Sequence, residues 1–201
     1  MSYSVVAIGT SWGGLAALTK ILGDLPADFG IPIVVVQHRS SDSELLLVKL
    51  LQEATDLRVR EIEDKDSLAA GTVLVAPANY HVLIEGGYVS LTVEEPVRFS
   101  RPSIDVMFTS AADTYRSAAI GVVLTGANED GARGLAHIVE RGGRALVQDP
   151  RTAEIPIMPD AALRAVPTAE ALSLDALVPR LIELSLGHRL ERAKVNAGRE
   201  A

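Results

Sequence analysis

Residues 3–14 read YSVVAIGTSWGG. The run 3–9 is apolar and strand-sized. Gly9-Thr10-Ser11-Trp12-Gly13-Gly14 then breaks it, and Leu15, Leu18, Ile21 and Leu22 follow at helical spacing. An unbroken apolar run is how a strand covered on both faces reads, and a glycine-flanked turn into a helix is the junction of a parallel α/β unit. The pattern recurs outward from this point. Strand-like runs lie at 3–9, 31–37, 57–62, 72–76, 119–125 and 144–147. Helical patterns fill 14–23, 43–54, 103–116, 132–141 and 174–185. Alternating elements of this kind predict an α/β fold: an open, mostly parallel sheet flanked by helices, Rossmann-like and doubly wound. Residues 81–93, HVLIEGGYVSLTV, differ in reading as two half-alternating runs around Glu85-Gly86-Gly87. They predict a β-hairpin at the sheet edge.

The chain has 201 residues, 48% of them hydrophobic, enough for one domain with a sizeable core. The expected division is a domain over 1–186 and a charged, flexible tail over 187–201, HRLERAKVNAGREA after Gly187, which lacks an apolar face. The longest apolar runs are far shorter than the roughly 18 residues a membrane helix needs, so no membrane insertion is expected. The start has no basic segment before its apolar run, unlike a signal peptide. There are no cysteines, which excludes disulfides, thiolate metal sites and a cysteine nucleophile, and fits a reducing compartment. The formal net charge of −7, without a basic stripe, argues against nucleic acid as a partner.

Ser11 stands at the point where an α/β hydrolase keeps its nucleophile. Residues 9–13 match the spacing G-x-S-x-G, and the backbone N–H groups opening the next helix can stabilise an oxyanion. The same loop is not a dinucleotide fingerprint, because Ser11 replaces the middle glycine and the second strand ends in Gln37-His38 rather than an acid. Nor is it a Walker A loop, since no Gly-Lys-Ser/Thr follows. His38 leaves the second strand on the same carboxyl edge. Asp130 follows AIGVVLTGANE in a third strand–turn–helix junction. A serine in a glycine turn, a histidine at a strand end and an N-capping aspartate are each ordinary structural features. Together they offer hydroxyl, imidazole and carboxylate from three junctions, with Glu129 as the competing acid. The chain order Ser, His, Asp differs from the Ser, Asp/Glu, His of an α/β-hydrolase.

These residues resemble the catalytic domain of the CheB-type protein-glutamate methylesterase/glutaminase family. The matching stretches are Ile8–Gly14, Val36-Gln37-His38, Val75-Ala76-Pro77 with His81, Arg101–Val106, Val123–Gly126, Asp130-Gly131-Ala132 and Met158-Pro159. They run in the family's order along about residues 5–185. The resemblance implies a serine hydrolase, of cytoplasmic location, that removes methyl esters from γ-glutamyl side chains on the cytoplasmic domain of methyl-accepting chemoreceptors. Glutamine deamidation is the family's second activity. It implies Ser11 as nucleophile, His38 as base, Asp130 as the acid that accepts His38 Nδ1–H, and the backbone N–H groups of Trp12 and Ala127 as oxyanion donors. No metal or other cofactor is implied.

Several positions depart from the family's habits. Ala127-Asn128 stands where Met-Gly is usual, and an asparagine there tolerates a left-handed backbone. Asp160 replaces an arginine, and Trp12 a threonine. Typical members begin with a receiver domain, whereas here Met1 lies a few residues from the first strand, leaving a separate regulatory protein as a candidate partner. Arg101 and His81 are candidate substrate contacts, a solvated loop arginine and a surface histidine being the ordinary alternatives. His137 reads as structural. On the residues alone two other functions stay open: a non-catalytic binding module of the same fold, and a hydrolase of another glutamyl or small ester.

Overall fold

The computed structural model describes residues 3–38 and 44–197. The chain opens with β1 (Val5–Thr10), α1 (Gly14–Asp24), β2 (Ile33–Gln37), α2 (Glu44–Ala54), β3 (Arg58–Glu61) and β4 (Thr72–Val75). A small pair follows, β5 (His81–Ile84) and β6 (Val89–Thr92), and then α3 (Ile104–Tyr115). The second half runs β7 (Ala119–Val123), α4 (Ala132–Glu140), β8 (Arg144–Gln148), α5 (Ile157–Ala165), β9 (Glu170–Leu172) and α6 (Leu174–Ala197). Seven strands pair in parallel, in the order β3-β4-β2-β1-β7-β8-β9.

The apolar runs are continuous because both faces are covered. Every residue of β1 and β7 is buried. On one face Ile8, Val35 and Val122 pack with Leu18, Ile21 and Leu22 of α1, Leu51 of α2 and Leu177 and Leu181 of α6. On the other face Ala7, Val34 and Val123 pack with Met107 and Phe108 of α3, Leu135 of α4 and Ala162 of α5. At about 25 cal/mol per Å² of apolar area these two cores supply the main driving force for folding.

The order also fixes where a site can form. β1 pairs with β2 on one side and β7 on the other, with Ile8 level with both Val35 and Val122. The chain winds outward from β1 to β2 and then returns across it to β7. That makes the carboxyl ends of β1 and β7 a topological switch point, the crevice of an open α/β sheet.

Four features differ from the sequence reading. The predicted hairpin forms, but β5 and β6 make a two-stranded sheet of their own that packs on α3 rather than extending the large sheet. Helix α5 was hidden by Pro156 and Pro159. Pro159 falls in the first turn, where no intrahelical N–H is needed. Strand β9 is three residues long, too short for any periodicity, and is drafted by its bonds to β8. Helix α6 continues across the expected boundary at 187 as far as Ala197; residues 198–201 of the expected tail lie outside the described residues. No helix among the described residues is long and apolar enough to cross a membrane.

Candidate active site

The rim is built by stitching three strand ends together. His38 N–H donates to the Thr10 carbonyl (3.1 Å), and Ser11 N–H donates to the Thr125 carbonyl (3.0 Å). The Thr10 hydroxyl donates to that same carbonyl (2.9 Å). Thr125 Oγ1 donates to the Trp12 carbonyl (2.9 Å) and accepts the Ile155 N–H (2.9 Å), tying the serine turn to the loop before α5. Gly126 is required here by space. A Cβ on it would lie 3.0 Å from Ser11 Cβ and 2.7 Å from Met158 Cε. Gly13, at φ +78°, closes the turn into α1 in a conformation that glycine adopts without steric cost.

Ser11, Trp12, Gln37, His38 and Glu154 line one open depression of about 570 Å³ with the first turns of α1. Trp12 is exposed at its mouth, its indole N–H donating to Glu154 Oε1 at 3.0 Å. Beneath the depression lies Asp130, 1% exposed. Its Oδ2 meets His38 Nε2 at 2.8 Å and accepts the Ile104 N–H at 2.7 Å. Its Oδ1 accepts the Ser103 hydroxyl (2.9 Å) and the Asp105 N–H (3.0 Å). Burial pushes this carboxyl up. The His38 bond and the Asp105 and Ile104 N–H groups outweigh it and hold Asp130 below the ordinary carboxylate range. Asp130 is therefore a helix-capping aspartate after all, but of α3 and not of its own helix α4, which Gly131 caps without a side chain.

Asp105 returns the arrangement. Its Oδ1 accepts the N–H groups of Gly131 (3.0 Å) and Gly134 (2.7 Å), at the start of α4. Its Oδ2 is buried without a hydrogen-bond partner among the described residues. Burial, and next to it the charge of Asp130, push Asp105 up; the bonds from Gly134 and Gly131 offset this only in part.

The expected histidine geometry needs a correction. The aspartate takes Nε2, not Nδ1. Nδ1 faces Asn128 Nδ2 at 3.1 Å, while Asn128 Oδ1 accepts the Asp130 N–H at 3.0 Å. Asn128 holds no left-handed backbone conformation, so its role is in its side chain. Ser11 Oγ makes no hydrogen bond to His38 among the described residues, although both side chains line the depression.

The remaining candidates sort by position. Among the described residues no acceptor takes the N–H of Trp12, which lines the depression, or of Ala127, which is exposed but does not line it. Glu129, the competing acid, points outward to Arg164 (3.2 Å) and Arg98 (3.7 Å). His81 is not a surface residue. At 1% exposure its Nδ1 accepts the Ser103 N–H (3.1 Å) and its Nε2 meets the Glu95 carbonyl (3.2 Å), so it braces the shell behind Asp130. Arg101 donates from Nη1 to the carbonyls of Val93 (3.0 Å) and Glu94 (3.1 Å), and its Nε is buried without a partner among the described residues. Neither lines the depression. Asp160 is exposed in the first turn of α5, where a negative charge suits the helix dipole. His137 pairs with Asp113 (2.9 Å) on the surface of α4.

Sequence reasoning missed the bonding of Ser103, Asp105, Asn128 and Glu154. A serine just before a helix, followed by an aspartate, signalled the start of α3. Nothing in the sequence said that the cap would be traded with α4.

A parallel α/β domain with a serine, a histidine and an aspartate gathered at its switch point is the frame of a serine-type hydrolase. This chain belongs to the CheB methylesterase family, whose model matches residues 6–181. It is 45% identical over 193 residues to a putative protein-glutamate methylesterase/protein-glutamine glutaminase of Leptospira interrogans, covering 96% of this chain and all of that one. It is 38% identical to the protein-glutamate methylesterase/protein-glutamine glutaminase of Trichodesmium erythraeum, over 90% of this chain and 53% of that longer relative. The catalytic domain of the Thermotoga maritima CheB methylesterase superposes with a TM-score of 0.88 at 31% identity, covering 92% of this chain and all of that one.

Proposed function

We propose that this protein is a protein-glutamate methylesterase that hydrolyses γ-glutamyl methyl esters on the cytoplasmic domain of methyl-accepting chemoreceptors, with protein-glutamine glutaminase activity at the same site. Its place of action is the cytoplasm. The observation that carries the reading is the buried Asp130 carboxylate on His38, at 2.8 Å, beneath a depression lined by Ser11.

The chemistry follows from the atoms. The Asp130 carboxylate accepts the proton of Nε2, which leaves Nδ1 as the lone-pair nitrogen of neutral His38. Ser11 Oγ attacks the ester carbonyl and its proton passes to Nδ1. The tetrahedral oxyanion is held by the N–H groups of Trp12 and Ala127, and Asp130 stabilises the imidazolium. Nδ1–H protonates the departing methoxide, releasing methanol. Water, deprotonated at Nδ1, then attacks the acyl-serine and frees the glutamate. For glutamine the leaving group is ammonia.

Mass spectrometry of methylated receptor peptides tests this. Wild-type protein is expected to convert γ-glutamyl methyl esters to glutamates, and Ser11→Ala to leave them intact. Full demethylation by the Ser11→Ala protein would end the nucleophile assignment.

A further inference from the structure

Asn128 is the second side chain on the His38 ring. Its orientation is fixed from the far side: one amide atom faces the Asp130 N–H at 3.0 Å, and only the carbonyl oxygen can accept there. The NH₂ group therefore faces Nδ1, at 3.1 Å. A ring nitrogen that accepts is the unprotonated one, so this contact and the Asp130 contact at Nε2 select the same tautomer. They also leave the basic nitrogen occupied. Protonated His38 has no lone pair for Asn128 to donate to, so the amide must withdraw whenever Nδ1 takes a proton.

We infer that Asn128 is a positioning residue that sets the His38 tautomer and covers Nδ1 until a bound substrate brings the Ser11 hydroxyl to it. The inference rests on the Ser11–His38–Asp130 reading above and adds to it a resting state in which the base is masked. When the mask lifts, the Ser11 proton moves to Nδ1 as Oγ bonds to the carbonyl carbon. The amide turns away, still within reach of the Asp130 N–H.

The test is the rate at which a fluorophosphonate labels Ser11, followed by mass spectrometry across pH in wild type, Asn128→Ala and Asn128→Asp. The backbone at 128 is not left-handed, so alanine fits it. Asn128→Ala should label about three- to tenfold faster, the range one neutral hydrogen bond covers. Its acidic limb should move to higher pH, because a donor that opposes protonation of Nδ1 has gone. Asn128→Asp keeps an oxygen for the Asp130 N–H but replaces the donor by an acceptor, and should move the limb further in the same direction. The other charges around the ring are common to all three proteins: Asp130 on Nε2, Glu154 across the depression, and Glu129 held by Arg98 and Arg164. Labelling of Asn128→Ala no faster than wild type, or an unmoved limb, overturns the inference. Nitrogen-15 spectra of the wild-type ring give a second check that needs no variant: a neutral ring with its proton on Nδ1 overturns it as well. Folded wild-type protein that never labels at Ser11 sinks the nucleophile reading instead.

Discussion

Asp130 and Asp105 are both buried, at 1% and 7% exposure, and each caps the helix at whose start the other stands. Their surroundings nevertheless push them in opposite directions. Asp130 is met by four donors on two oxygens, one of them His38, and stays ionised with ease. Asp105 has two donors on a single oxygen and a bare second one, with a negative neighbour besides. Burial does not separate the two carboxylates. The number of donors does, together with whether one of them is an imidazole on the rim.

The largest expected effect breaks the symmetry of the pair. Asp130→Asn places an amide NH₂ among N–H donors and removes the charge that steadies an imidazolium. It should cut kcat by about 10³–10⁴-fold in methanol-release assays. Asp105→Asn keeps an oxygen for Gly131 and Gly134 and should cost less than about tenfold, since Asp105 reaches no rim residue. Equal losses would erase the distinction.

Next is stability. Asp105→Ala strips α4 of its cap and should lower unfolding free energy by about 1–3 kcal/mol in urea titrations. An unchanged midpoint would show the buried caps to be idle.

A smaller effect lies in the pH dependence of stability. Asp130, held low, stabilises the fold above the unfolded aspartate value of about 3.9, and that contribution is lost as pH falls through its folded value. Asp105, pushed up, favours the fold below about pH 3.9, and its contribution is lost as pH rises through its folded value. Melting temperatures taken through this range should therefore show a decline on the alkaline side of about pH 4 that Asp105→Asn removes. Persistence of that decline in the variant would assign it elsewhere.

The smallest effect is at the rim, outside both carboxylate cages. Glu154→Gln keeps an acceptor for the Trp12 indole and removes an exposed charge. KM should move by a few-fold at most with kcat unchanged, as exposed polar contacts contribute little.

The difference between the two aspartates also marks what the sequence could carry. The parallel sheet was legible because VVAI, IVVV and VVL are covered on both faces. The placement of Ser11, His38 and Asp130 was legible because each stands at a junction between a strand and the next helix. The exchange of caps was not, since it depends on α3 and α4 lying side by side, which no local pattern encodes. The ring nitrogen facing Asp130 was likewise beyond reach, being set by where Asn128 sits in space. His81 and Arg101 misled for a related reason. A polar side chain near a strand end looks available until its partners, Ser103 and the carbonyls of Val93 and Glu94, are known.

The most direct measurement is a double-mutant cycle on His38→Ala and Asp130→Asn, read as kcat/KM for methyl-ester hydrolysis. If the carboxylate acts through the imidazole, Asp130→Asn costs nothing further once His38 is gone, and the double variant matches His38→Ala alone. Two losses that multiply in full would mean that Asp130 and His38 work separately, and would contradict the linked site.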